Sequence, residues 1–370
     1  MRLEVISDTI RFHDLRDEWD RLLSTMSSPT LPLTHEWIYT WWQAFGSNKQ
    51  LTILCVYNGE KLVAIGPFLQ EKTRYRGIPV TIQKLMANGH SPYCDLIIDG
   101  GLSVNQKGEI VDSMIQNSPA DIIQFTKIPG DSFVLDYLKN KSVTYIYHFG
   151  YKPDLITPVI RIQGNWDKFI RAKSRKFRKN LNNKLNKFNK LSDYTIDCIQ
   201  IPDNSHPYLS EIVDISQRSW KRQINNDLGS NSTGREFLLR LAAVFGPKEM
   251  LKIWILHNGK KPVAFEYHLQ YRGIVYPIRA DFDEEYRSIA PGSILEYTAL
   301  KALFESDKIQ EYYSCADDYW YLNNWTNELK KHFTVEVFAH SWKAYFLYRF
   351  EYTLLPILRA FRNKIYKPAN

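Results

Sequence analysis

The chain has 370 residues, 44% hydrophobic and 24% charged, with a formal net charge of +8. This composition excludes a disordered chain, and at roughly 150 residues per domain the length predicts two domains with substantial cores. The charge is local: residues 171–190 hold nine Lys/Arg and no Asp/Glu, which leaves the rest of the chain close to neutral. Cys55, Cys94, Cys198 and Cys315 lie far apart without CxxC or CxH spacing, so neither a metal site nor a disulfide framework is expected, and a reducing compartment is. The N-terminus lacks the apolar core of a signal peptide, and no run approaches the ~18–20 apolar residues of a membrane span. The expected location is the cytoplasm.

In chain order, helical periodicity predicts helices over 11–26 and 35–46. A β-hairpin follows at 51–69, LTILCVYNGEKLVAIGPFL. It returns at an offset of 200 as 251–269, LKIWILHNGKKPVAFEYHL, with eight of nineteen positions identical, where background frequencies give about one. In each copy Asn-Gly is expected to supply the two positive-φ residues of a type I′ turn. A Tyr-Arg-Gly follows both, at 75–77 and 271–273. A helix is predicted near 104–117. A further one over 166–190 carries Phe177, Leu181, Leu185 and Phe188 as a narrow apolar stripe under a wide cationic surface. Helices at 205–220, 233–245 and 293–306 and strands near 310–314 and 333–338 complete the chain. Each half thus reads as two helices, an antiparallel hairpin or meander, then strand–helix–strand. The expected fold is α+β: two tandem copies of one unit, with mixed, mainly antiparallel sheets flanked by helices. The predicted boundaries are 1–160, 161–341 and a basic aromatic tail at 342–370.

Three features of the second half point to chemistry. Along 262–281, Val263, Phe265, Tyr267 and Leu269 face one way and Glu266, His268 and Gln270 the other. An acid, a base and an amide in a row on a sheet that helices cover require a wet cleft. Next, Ser293 to Glu296 reads as a capping box opening the helix at 293–306. Gly292 lies in the turn before it and Arg287 just upstream, a setting that suits an anion because free N–H groups and the helix dipole favour phosphate. No equivalent occurs in the first half. Finally, Asp317, Asp318, Tyr319, Tyr321 and Trp325 crowd polar-tipped aromatic groups into one turn-rich stretch, a composition found in binding clefts.

The NGKKPVA hairpin, the tyrosine-bearing strand ending in ADFD, the YRSIAPGSILEYTALKAL turn and helix, and the Asp318, Tyr321, Trp325 element together resemble the GNAT-fold acyltransferases of the CelD-like, FemAB-related group. The resemblance runs from the Trp-rich HEWIYTWWQAF to about Thr334 and implies two GNAT domains in tandem. It implies a transferase moving an acyl group from acyl-CoA, or in the Fem branch from aminoacyl-tRNA, to an amine of a sugar or cell-envelope precursor. By the same resemblance Arg287, Pro291, Gly292 and Ser293 form the pyrophosphate-binding turn. Asp281, Glu266 or His268 is the base, Tyr276 or Tyr321 the proton donor, and backbone N–H groups of a splayed strand hold the oxyanion. Asp318, Trp325 and Arg175 are the substrate contacts. The chain departs from the group in its Gly loop, reduced to RSIAPG, and in Tyr321-Leu322, which stands for a Tyr-Lys.

Two other partners follow from charge. The 171–190 run suits the phosphates of tRNA or of a nucleotide donor. Residues 342–367, with six Lys/Arg, one Glu and many aromatic groups, read as an interfacial segment that places the protein on the inner face of a membrane. A non-catalytic scaffold with degenerate halves is the remaining alternative.

Overall fold

The computed structural model describes residues 1–142, 148–319 and 321–359. From the N-terminus come β1 (Arg2–Ile6), α1 (Thr9–Asp14), α2 (Arg16–Ser24), α3 (His35–Phe45), β2 (Gln50–Asn58), β3 (Lys61–Tyr75), β4 (Ile78–Leu85) and β5 (Ile97–Ile98). There follow α4 (Val104–Gln116), β6 (Ile122–Pro129), α5 (Phe133–Ser142), β7 (His148–Arg161), α6 (Trp166–Arg171), α7 (Arg175–Phe188), β8 (Tyr194–Gln200), α8 (Tyr208–Gln217) and α9 (Ser232–Phe245). The chain closes with β9 (Leu251–Asn258), β10 (Lys261–Tyr271), β11 (Ile274–Phe282), α10 (Pro291–Phe304), β12 (Glu311–Tyr313), β13 (Leu329–Phe338) and α11 (Trp342–Arg349). The single helix expected over 166–190 is two, because the Ser174 side chain accepts from the Phe177 N–H and caps α7 afresh.

The chain divides into two compact units, Met1–Leu155 with Lys331 onward, and Ile156–Lys330. Within the first the strand order is β1-β2-β3-β4-β6-β13, with only β4 and β6 parallel, and β5 paired to β3. Within the second it is β8-β9-β10-β11-β12-β7, with only β11 and β12 parallel. The sixth strand of each unit therefore comes from the opposite side of the duplicated boundary, β13 for the first and the last residues of β7, which pair with β12 over 159–161, for the second. This corrects the sequence-based boundaries: residues 331–341 and the described part of the tail pack with the first unit. Residues 360–367 of that tail lie outside the described residues.

The duplication extends to local backbone defects. In both β2–β3 and β9–β10 the register slips by one residue, opposite Val63 and opposite Val263, so the two copies carry the same bulge. The Asn-Gly turns differ from expectation: Asn58 and Asn258 close the ladders against Lys61 and Lys261, and only Gly59 and Gly259 have positive φ. The turns with two consecutive positive-φ residues, the type I′ pattern, are Arg76-Gly77 and Arg272-Gly273.

α11 docks on the first unit through Ala344 and Leu347, buried with Val80, Ile82, Ile122 and Phe338. Gly150 of β7 is required here, because a Cβ at that position would lie 2.2 Å from the Tyr352 ring. Beyond α11, Glu351 is buried and takes a bidentate pair from Arg76 at 2.6 and 2.9 Å and another cation, Lys152, at 2.8 Å. Burial alone would raise the Glu351 carboxyl, but the hydrogen bonds from Arg76 and Lys152 overcome it and hold the group at about 2. A depressed carboxyl contributes stability above its ordinary value of 4.5 and loses it as pH falls toward about 2. Glu351→Gln is expected to cost about 2 kcal/mol at neutral pH and to shrink this acid-side loss, both readable from urea melts at a series of pH values.

Candidate active site

The second unit places its polar groups by strand alternation. Glu266 and His268 project from one face of β10, together with Trp254 of β9, which stands opposite Glu266. α10 covers this face, packing Leu295 and Ala299 on Trp254, Leu256 and Ala264. The row of acid and base expected along the hairpin is therefore enclosed rather than solvated. Glu266 Oε2 lies 2.7 Å from His268 Nε2, and both residues are buried. The other ring nitrogen, Nδ1, has no hydrogen-bond partner among the described residues. The ring stands edge-on to Tyr312 of β12, with centroids 5.9 Å apart.

Into the same region α10 sends Glu296. Its Oε2 accepts from the indole Nε1–H of the buried Trp325 at 2.9 Å. Desolvation, with the nearby Glu266 charge adding to it, pushes the Glu296 carboxyl up to about 8 against the opposing effects of Trp325 and Lys184. Tyr321 is 44% exposed. Its hydroxyl pKa is raised by desolvation and by the same pair of carboxyls, Glu296 and Glu266. The site thus combines a buried acid–imidazole pair, a carboxyl poised to exchange protons near neutrality, and two tyrosines.

Beside these groups the sheet stops pairing. β11 and β12 run parallel for two residue pairs, Ile274 with Glu311 and Val275 with Tyr312. Beyond Val275, β11 continues to Phe282 without β12 beside it. Pro277, which has no N–H, sits at a register slip against β10, opposite His268.

At the N-terminus of α10, the expected capping box does not form. Ala290, in the left-handed region (φ 56°), is the N-cap and Pro291 opens the helix. Glu296 accordingly lies a full turn inside α10 and turns inward, while Ser293 Oγ bonds Lys184 Nζ of α7 at 2.9 Å. Lys187 Nζ reaches the Ser288 carbonyl at 2.8 Å. Arg287, expected at this turn, is exposed and pairs with Glu284 at 2.5 Å. The cations at the helix start are two lysines of the basic helix, and Gly292 leaves space above the turn, since a Cβ there would meet only Phe282 at 3.6 Å.

Two expected acid–base groups stand elsewhere. Asp281 pairs with Phe265 across the ladder and so lies on the opposite sheet face. There it is held by Arg279 at 2.8 Å, by the Ser216 hydroxyl at 2.7 Å and by Lys221, whose pKa burial lowers in spite of Asp281. Tyr276 pairs with Leu269, on that same far face, and packs on Tyr313. Asp318 is exposed and accepts from Asn323, and Arg175 is exposed in the first turn of α7. Sequence reasoning missed Glu296, Lys184 and Tyr312. The first two had a signal: at 100° per residue Glu296 falls among Leu295, Ala299, Leu300 and Leu303, and Lys184 falls among Phe177, Leu181 and Phe188, so each is a charge within an apolar stripe.

The fold is GNAT-like, with two such units in tandem, and is related to the Fem fold. Residues 175–323, which include Lys184, Glu266, His268, Glu296, Tyr312 and Tyr321, match the acetyltransferase (GNAT) domain family. FemX is similar in structure with a TM-score of 0.61 at 11% identity, over 90% of this chain and 97% of that one. A conserved protein of unknown function from Bacteroides thetaiotaomicron VPI-5482 gives 0.54 at 14% identity, over 91% and 100%. The C-terminal domain of a proposed lysylphosphatidylglycerol synthetase from Agrobacterium fabrum gives 0.51 at 9%, over 91% and 95%. No curated protein matches the sequence.

The raised Glu296 carboxyl has a consequence for stability that needs no substrate. Its folded pKa, about 8, lies above the ordinary 4.5, so the folded state holds the proton more tightly and stability declines as pH rises from about 4.5 to about 8. Glu296→Gln keeps an acceptor for Trp325 and removes the titration. Thermal melts from pH 5 to pH 9 are expected to show the variant flatter than the parent protein and more stable at the alkaline end.

Proposed function

We propose that the second unit transfers an acyl group from an acyl-CoA thioester to an amine, with an amine of a sugar or cell-envelope precursor as the acceptor class. The observation that carries the reading is the meeting of Glu296, titrating near neutrality, with the Glu266–His268 pair where β11 and β12 part. An amine nucleophile arrives largely as an ammonium ion, and Glu296 in its ionised form attracts it. Ionised Glu296 removes a proton and leaves the attacking lone pair free. The donor supplies the activated acyl group; backbone N–H groups of β11 beyond Val275 face the developing oxyanion. Tyr321, whose hydroxyl burial and the neighbouring carboxyls keep protonated, returns a proton to the leaving thiolate.

The donor's phosphates fit the start of α10. The N–H groups of Gly292 and Ser293, the open space above Gly292, and Lys184 and Lys187 form an anion-binding turn of the kind helix N-termini provide. These residues stand where Arg287 was expected. Glycine content is lower than in the usual loop, and the two lysines supply charge that the reduced loop lacks.

A second reading, aminoacyl-tRNA as donor, is favoured by the outward side of α7, where Arg175, Lys176 and Lys179 are exposed. The two are separated by binding measurements. With acyl-CoA as donor, thermal shift with acetyl-CoA and longer acyl-CoAs is expected to stabilise the protein, and Lys184→Ala to weaken that binding about tenfold, with Arg287→Ala near neutral. Glu296→Gln is expected to lower kcat by roughly 10²–10⁴-fold and to abolish its rise toward pH 8. No stabilisation by any acyl-CoA, together with salt-sensitive filter binding of tRNA, would replace the donor; neither response would leave a scaffold.

A further inference from the structure

α11 and the turns that continue it to Leu358 carry apolar side chains on two opposite faces. One face is docked: Ala344 and Leu347 are buried against the first unit's sheet, and Glu351 is locked inward by Arg76 and Lys152. Residues 342, 345, 346 and 349 fall on the other side of the helix, and there Trp342 is 84% exposed, Phe346 52% and Tyr345 46%. Phe346 stacks on Phe350 at 6.3 Å, and Leu354, Ile357 and Leu358 are exposed further along the chain. A docked surface helix ordinarily turns polar residues outward; this one turns out aromatic and aliphatic groups.

The charges on this strip are of one sign. Glu351 is the sole acid from 342 to 370, and it points inward. Arg349 and Arg359 are exposed along the strip, and Arg362, Lys364 and Lys367 follow in sequence. Among the described residues no helix is long and apolar enough to cross a membrane. A two-fold contact with a second copy would set this cationic strip against itself. A headgroup layer instead accepts indole and phenol rings at its boundary and supplies anionic phosphates to the cations.

We propose that the outward face of α11 seats the protein on an anionic phospholipid bilayer, the helix lying in the headgroup layer with Trp342 and Phe346 inserted. The proposal is independent of the donor and acceptor of the transfer reaction. Sedimentation of the full-length protein with phosphatidylcholine vesicles, with and without phosphatidylglycerol, tests it. Binding is expected to the mixed vesicles and to fall with salt. The double variant Trp342→Ser/Phe346→Ser should lower the partition coefficient about tenfold or more, and Arg349→Gln about fivefold. Both variants change exposed side chains, so an unchanged melting temperature is the control for folding. Equal pelleting of parent and double variant, or no pelleting with either lipid, overturns the proposal. So does a dimer in sedimentation velocity that the double variant dissolves while vesicle binding is absent, which would assign the face to a second copy.

Discussion

The ladder between β11 and β12 lasts two residue pairs and then stops, and the chemistry of the second unit depends on that interruption. Glu266 and His268 are buried under α10, where a carboxyl without a partner is expelled or neutralised. Ending the ladder leaves β11 beyond Val275 without β12 beside it, while the rest of the sheet stays paired. Pro277 at the β10–β11 register slip and the brevity of β12 act in the same direction. Neither strand can extend the pairing that would seal the gap.

Beside this interruption the electrostatics follow from unequal compensation. Glu266 has a full partner in His268 at 2.7 Å. Glu296 has one neutral donor, the Trp325 indole, and a neighbouring negative charge, and so its carboxyl rises to about 8. The two carboxyls thus sit in different surroundings, one beside an imidazole and the other beside a neutral indole. Trp166 and Phe169 pack against the Trp325 indole and fix its direction. Packing therefore positions the donor that tempers the Glu296 shift.

Much of this was legible before any coordinates. The duplication, the two hairpins and the enclosed Glu266/His268 row follow from period-two alternation and from the offset of 200, signals that local sequence carries directly. What escaped was set by contacts distant in sequence. Ser293 followed by Glu296 satisfies the spacing of a capping box, yet Pro291 starts the helix two residues earlier and turns the glutamate inward. The box forms instead at Ser103 and Gln106 of α4. Asp281 and Tyr276 were grouped with Glu266 because they lie near it along the hairpin; register puts them across the sheet. The exchange of β7 and β13 between units was invisible because strand partners at the end of a sheet are chosen by edges rather than by composition.

The same offset that reveals the duplication also argues where the chemistry resides. Shifted by 200, Glu266 and His268 correspond to Gly66 and Phe68 in the first unit. A Cβ on Gly66 would lie 2.5 Å from the Phe68 ring and 3.2 Å from Met114, and Phe68 packs edge-on against Phe125 at 5.6 Å. The volume that holds an acid–imidazole pair in one copy is therefore filled by apolar side chains in the other, with glycine making room for them. Buried polar groups cost stability that a packed apolar core of the same topology does not. One copy fills that volume with apolar side chains and the other with an acid–imidazole pair, a cost that the transfer proposed for the second unit accounts for.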